Sequence, residues 1–196
     1  MKNKTIALIS LLLLCSITTF GQKNEFNLIE LDSTWGQEVL RFPARNMNYI
    51  GVGEVRFPPK GWINPEHTFF WSYTYAWSID LDSKITEKEL EIDLVKYFNS
   101  LNKVDMGDAT DNRKASAKVT KTKRKKSTIF FKGYVKTYDR FATNNLITLN
   151  VLIESSYCEK EKKTVILFKF SPKEFEHKVW KTLNVIKLYS NICFEK

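Results

Sequence analysis

Histidine, cysteine and glycine are scarce in this chain, at two, three and seven of 196 residues. The shortage excludes several chemistries. Two histidines and the few cysteines fall short of the usual donor set of a zinc site. No H-E-x-x-H, no G-x-S-x-G and no glycine-rich phosphate loop occurs anywhere in the chain. Neither a metal nor a cofactor is expected. The five prolines are scattered and no low-complexity tract appears, so nothing reads as a linker. Long apolar runs are missing too. The best, Ile6 to Leu14, is too short to span a bilayer comfortably, and no later run matches it, so no transmembrane anchor is expected.

That apolar run sits where export signals sit. Lys2 and Lys4 precede it, and "TTFGQ" follows, with Thr19 and Gly21 as the small residues before a cut at Gln22. The pattern predicts a secretory signal peptide over residues 1–21 and one domain over 22–196, long enough for a substantial core. Cys15 raises lipidation as an alternative, but the residue before it is the large Leu14 where a small one is needed. Losing Lys2 and Lys4 with the signal lowers the net charge by two from the +9 of the whole chain. A basic exported protein, periplasmic or extracellular, suits an anionic envelope component or a protein partner, and not nucleic acid.

Six aromatic residues crowd "FFWSYTYAW", Phe69 to Trp77. From Trp71 the residues alternate, with Trp71, Tyr73, Tyr75, Trp77, Ile79 and Leu81 on one face and Ser72, Thr74, Ala76, Ser78 and Asp80 on the other. A period of two predicts a strand whose aromatic face packs under a helix as core. Next, "ITEKELEIDLVKYFNSLNK" (Ile85 to Lys103) turns to helical spacing, opened by a Thr86/Glu89 capping box and an Ile85/Leu90 staple. "EVLRFP" (Glu38 to Pro43) and "EVRFP" (Glu54 to Pro58) read as two edge strands ended by proline. Three more runs, Ser127 to Asp139, Leu146 to Tyr157 and Thr164 to Phe170, predict an antiparallel meander. "SPKEFEHKVWKTLNVIKL" predicts a closing helix, with Ser171 as N-cap, Pro172 at the first position and Glu174 completing the box.

A strand into "FPPKGW" (Phe57 to Trp62), a second strand, a helix, a meander and a closing helix running into "NVIKL" (Asn184 to Leu188) resemble the PsbP-like layout. With its export signal, the chain is also similar to secreted proteins of Bacteroidota. The resemblance implies an α+β fold, a single antiparallel sheet with packed helices in an α/β/α sandwich. It implies binding and assembly roles and brings no catalytic residue. Fold likeness alone does not assign function.

Among candidate site residues, His67 beside Glu66 could serve as a base, against a plainer turn-stabilising role. His177, between Glu176 and Lys178, reads as a surface helix residue. Phe69 and Phe70, at the mouth of the aromatic strand, suit a cleft edge. The run Lys121, Lys123, Arg124, Lys125 and Lys126 could meet an anionic lipid or glycan surface, but the alternation "KVTKTK" favours a strand edge guarded against aggregation. "DMGDATDN" (Asp105 to Asn112) groups three carboxylates without the order of an EF-hand loop and reads as a polar loop. Cys158 and Cys193 are the two cysteines of the mature chain, so one intramolecular disulfide is predicted between them. These observations favour an exported, non-enzymatic binding or accessory protein. The alternatives are a small secreted enzyme using His67 and nearby acids, and a structural subunit docking through its basic strand.

Overall fold

A computed structural model describes residues 27–105, 107–108, 110–190 and 192–193; the expected signal segment lies outside them. Nine strands and two helices are present among these residues. In chain order they are β1 (Ile29–Glu30), β2 (Gly36–Ala44), β3 (Met47–Phe57), β4 (Tyr73–Ile79), α1 (Glu87–Leu101), β5 (Ser116–Lys125), β6 (Thr128–Tyr138), β7 (Leu146–Cys158), β8 (Lys163–Ser171), α2 (Val179–Val185) and β9 (Lys187–Leu188). Seven strands form one antiparallel sheet in the order β2-β3-β4-β8-β7-β6-β5, and β1 pairs with β9 apart from it.

The fold is therefore mainly β, at 45% strand and 13% helix, which corrects the expected α+β, PsbP-like α/β/α sandwich. Two local misreadings account for the difference. Strands β2 and β3 run for 9 and 11 residues, well beyond the proline-ended motifs that announced them. The closing helix, conversely, shrinks to seven residues. Ser171 is the last residue of β8, and its hydroxyl is engaged with the Ser72 hydroxyl at 2.8 Å and with the amide of Lys173. The Lys173 carbonyl then accepts the Trp180 indole N–H and the Asn150 amide. The chain from Pro172 to Lys178 is thus held in turns by distant partners, which override its helical signature.

The other predicted elements form close to where the periodicity put them. Thr86 caps α1, accepting from the Glu89 amide while the Glu89 carboxylate accepts from the Thr86 backbone N–H. The meander appears as β6, β7 and β8. Of the two proline-ended motifs, only β2 lies at an edge. There Pro43 sits at a register shift, where a missing N–H is tolerated. β3 is interior, between β2 and β4.

β4 is central and buried on both faces. Tyr73, Tyr75, Trp77 and Ile79 join Leu90, Leu94 and Phe98 of α1 in the larger core. Ala76 joins Val179, Trp180 and Leu183 of α2, with Leu28, Ile29 and Trp35, in a second core across the sheet. Ser72, Thr74 and Ala76 on the hydroxyl face are thus buried against packed neighbours, and only Ser78 and Asp80 reach water. Tyr75 occupies the space above Gly53, where an added Cβ would lie 2.8 Å from the ring. That contact requires glycine on β3.

Cys158 at the end of β7 is bonded to Cys193, with α-carbons 5.2 Å apart. The bridge fits an oxidising compartment. Among the described residues no helix is long and apolar enough to cross a membrane.

Candidate functional site

The sequence-predicted residues do not converge. His67 lies in the turn-rich stretch before β4, its Nδ1 accepting the amide N–H of Phe69 at 3.2 Å. Its ring covers Gly61, whose φ of +78° and lack of Cβ allow the approach. His177 repeats the arrangement, accepting the Val179 amide at 3.2 Å at the start of α2. Phe69 packs edge-on to Trp35 in the second core, while Phe70 is buried in the first.

Lys121, Lys123, Arg124, Lys125 and Lys126 are all exposed along β5 and its turn. β5 is an edge strand, as its alternation suggested, but its edge is partly occupied. Glu91 and Glu87, one turn apart on α1, accept the backbone N–H groups of Val119 and Lys121. A helix covering an edge in this way blocks strand addition there. The carboxylates of Asp105, Asp108 and Asp111 hold local turns, and Asp111 also binds Arg113. No group suited to holding a metal ion occurs among the described residues.

A site does form elsewhere, between the α1 face of the sheet and the C-terminal end of α1. A cavity of about 250 Å³ is lined by Leu40, Val55, Phe57, Tyr73, Tyr97 and Leu101, by Trp62, Trp71 and Phe141 from loops, and by Glu38 and Arg45. Each contributor has a local cause. Arg45 and Asn46 both have positive φ, 52° and 60°, and make the two-residue turn between β2 and β3. The turn brings the Arg45 guanidinium to 3.9 Å from the Glu38 carboxylate. Trp71 also has a positive φ, 48°, and is fully buried. Its amide donates to the Trp62 carbonyl at 2.8 Å, so the aromatic run turns at Trp71 and becomes strand only at Tyr73. A bulky residue in this left-handed region costs about 1–3 kcal/mol and persists only where its surroundings enforce it.

Phe141 is placed by Asp139. That carboxylate, fully buried, accepts the amides of Phe141, Ala142 and Thr143 and the Thr143 hydroxyl, at 2.8–3.2 Å. The loop so formed sets the Phe141 ring 5.6 Å from Trp62 and 5.8 Å from Trp71. Burial alone raises the Asp139 pKa, but the Thr143 and Phe141 bonds outweigh it and hold it below the ordinary carboxylate value. A depressed folded-state pKa contributes stability at pH values above the unfolded-state pKa, and that stability is lost as pH falls through the folded value. The Asp139→Ala variant is expected to lose about 2 kcal/mol at neutral pH. Its deficit against the parent should shrink on acidification, read from urea midpoints at pH 7 and pH 3. An unchanged midpoint at neutral pH would remove Asp139 from this role.

The polar groups of the cavity are mostly donors. Burial raises the phenol pKa of Tyr97 to about 12 and that of Tyr73 well above its usual value. These hydroxyls also act on each other, and the Arg45 charge pulls both values back down. The buried Trp71 indole N–H acts on the Asp139 carboxylate, though neither it nor the Tyr73 hydroxyl makes a hydrogen bond of full geometry. A wider groove of about 570 Å³ lies at Asn112, Arg113, Tyr138 and Asn144 to Leu146, but its guanidinium is already committed to Asp111.

Sequence reasoning did not reach Glu38, Arg45 or Tyr97 as cavity residues, and the Trp71 and Tyr73 it placed in the core lie there and line the cavity too. The Arg45-Asn46 pair between two strand-like runs was the one local signal for the turn. A scan against protein-family models and searches of curated proteins and of solved structures return no match to this chain.

Proposed function

We propose that this chain is an exported cell-envelope binding protein, periplasmic or extracellular, that holds a small ligand without turning it over. The observation that carries this reading is the preformed cavity itself. Its walls come from β2, β3, β4, α1 and loops, and at least two wall residues, Trp71 and Phe141, are held by specific backbone and carboxylate contacts. Apolar walls with a few convergent polar groups are the usual form of a small-molecule site. The disulfide supports the export half of the proposal.

The secreted-enzyme alternative gains no support from His67, whose Nδ1 is engaged with the Phe69 amide and whose side chain does not line the cavity. The docking-strand alternative meets an edge whose Val119 and Lys121 amides are taken by Glu91 and Glu87. The exposed cations of the β5 turn remain suited to an anionic envelope component, a contact that weakens as salt rises.

Mass spectrometry of the protein purified from its own cells tests both halves. Under denaturing conditions the chain is expected to begin at Gln22, within a residue or two. Under native conditions it should carry an added small-molecule mass that is lost on unfolding. An intact Met1 or a lipidated Cys15 overturns soluble export. A native mass equal to the bare chain, together with no uptake from a panel of apolar small molecules, overturns the binding reading.

A further inference from the structure

We infer that the ligand of this cavity is a small carboxylate with a flat apolar body, its carboxylate at Arg45 and its body against Trp62, Trp71 and Phe141. The inference rests on the binding reading above and adds the ligand's chemistry.

The donor inventory is the first argument. Arg45 brings a guanidinium that can only donate, and the Trp71 indole N–H can only donate; both line the cavity. The Tyr73 and Tyr97 phenols act on each other and the Trp71 N–H acts on the Asp139 carboxylate, so Arg45 is the donor left to a ligand. Glu38 is the sole carboxylate among the lining residues. A guanidinium beside apolar walls complements a ligand that accepts, and its planar fork fits a carboxylate in two-point fashion.

Charge gives the second argument. Glu38 is close to half exposed, at 46% of its side chain, and Arg45 less so, at 29%. An exposed pair of this kind is weak, so a ligand carboxylate can take over the guanidinium at little cost. Arg45 also acts on the phenols of Tyr73, Tyr75 and Tyr97, and Glu38 acts less strongly on the latter two. The polar end of the cavity thus holds one guanidinium and one carboxylate, with the guanidinium the less exposed of the two. Aromatic walls also suit a cation, but the less exposed Arg45 stands against one.

Shape gives the third. Trp62, Trp71 and Phe141 stand within 5.6–5.9 Å of one another, ring centre to ring centre, and Phe57 lies 4.9 Å from Trp62. Mutually supported rings offer a flat body a wall already in place. At about 30 Å³ per water, the cavity matches roughly eight waters. That is room for a single ring on a short acidic arm, and not for a long acyl chain.

The test titrates the disulfide-intact mature chain with hydrocinnamate, following intrinsic tryptophan fluorescence, to which Trp62 and Trp71 of the cavity contribute, and in parallel with hydrocinnamide and phenylpropylamine. Hydrocinnamate is expected to bind saturably, with the amide and the amine weaker by at least about tenfold. Arg45→Gln should weaken hydrocinnamate by a similar factor and leave the amide unchanged, whereas Glu38→Gln should not weaken it. Arg45→Lys, which keeps the charge and loses the fork, should fall between parent and Arg45→Gln. N-acetylglycyl-phenylalanine, which carries the same carboxylate at a peptide terminus, separates two sources. Tighter binding than hydrocinnamate assigns a peptide C-terminus, and weaker binding assigns a free acid. Equal or tighter binding of the amine or amide, or an Arg45→Gln protein that folds and binds hydrocinnamate as the parent does, overturns the carboxylate while leaving a binding protein. Absence of binding by all three probes also overturns it, and the native mass measurement then decides the broader reading separately.

Discussion

The Glu54→Ala variant is expected to lose about 4 kcal/mol of stability, the cost of stripping one partner from a buried charged pair. Glu54 is fully buried on β3 and faces the second core. One carboxylate oxygen accepts the amides of Leu28 and Ile29, and the other accepts Gln37 and the Arg56 guanidinium, the last at 2.5 Å. Removing it leaves Arg56, only 6% exposed, as an uncompensated cation and orphans two backbone donors at β1. The loss should appear in the denaturant midpoint and as faster amide exchange at Leu28 and Ile29. Replacing both Glu54 and Arg56 by leucine should cost less than Glu54→Ala alone, because no buried charge is then left unpaired. A double variant as unstable as Glu54→Ala would attribute the loss to the β1 amides, and a Glu54→Ala protein as stable as the parent would refute the clamp.

Removing the disulfide by Cys158→Ser and Cys193→Ser is expected to have a comparable effect. The bridge spans 35 residues, and in the chain-entropy model closing such a loop restricts the unfolded chain by about 4 kcal/mol. The same loss should follow addition of reductant to the parent protein, measured by urea denaturation. Coincident curves with and without reductant would show that the bridge stabilises nothing. Both devices secure one layer. β1 and β9 are two residues long each, and so small a pair cannot hold itself in water. Glu54 grips the β1 side, while Cys193 ties the chain beyond β9 back to β7. Losses that share a layer are not additive, so the combined variant should cost less than the sum of the two.

Apolar or alternating runs located β6, β7 and β8 to within a residue or two, and the Thr86/Glu89 box located the start of α1. Those signals are local, and burial of the apolar residues enforces them wherever the segment ends up. The lysine-rich alternation of β5 also declared an edge, because exposed charges are tolerated only where no neighbour must pack. The proline-ended motifs were half legible. Pro58 follows the last residue of β3, whereas Pro43 lies within β2 at its register shift, and neither proline says whether its strand has one neighbour or two.

The positions of β6, β7 and β8, the start of α1 and the Cys158–Cys193 pairing follow from residue type and short-range spacing alone. Tertiary structure decided the rest, because the deciding contacts join residues far apart in the chain. The Ser171 hydroxyl meets Ser72 across 99 positions, and that contact replaced a well-signed helix start by a turn. β4 pairs with β8 and not with the strand that follows it, which sets Tyr73 against Phe170 and leaves α1 to cover the aromatic face. The cavity is the extreme case. Arg45, Trp71, Tyr97 and Phe141 share no local pattern, and each points to the same space only because a turn, a left-handed residue, a helix end and an Asp139-anchored loop meet there. No period in the sequence encodes a meeting of four segments.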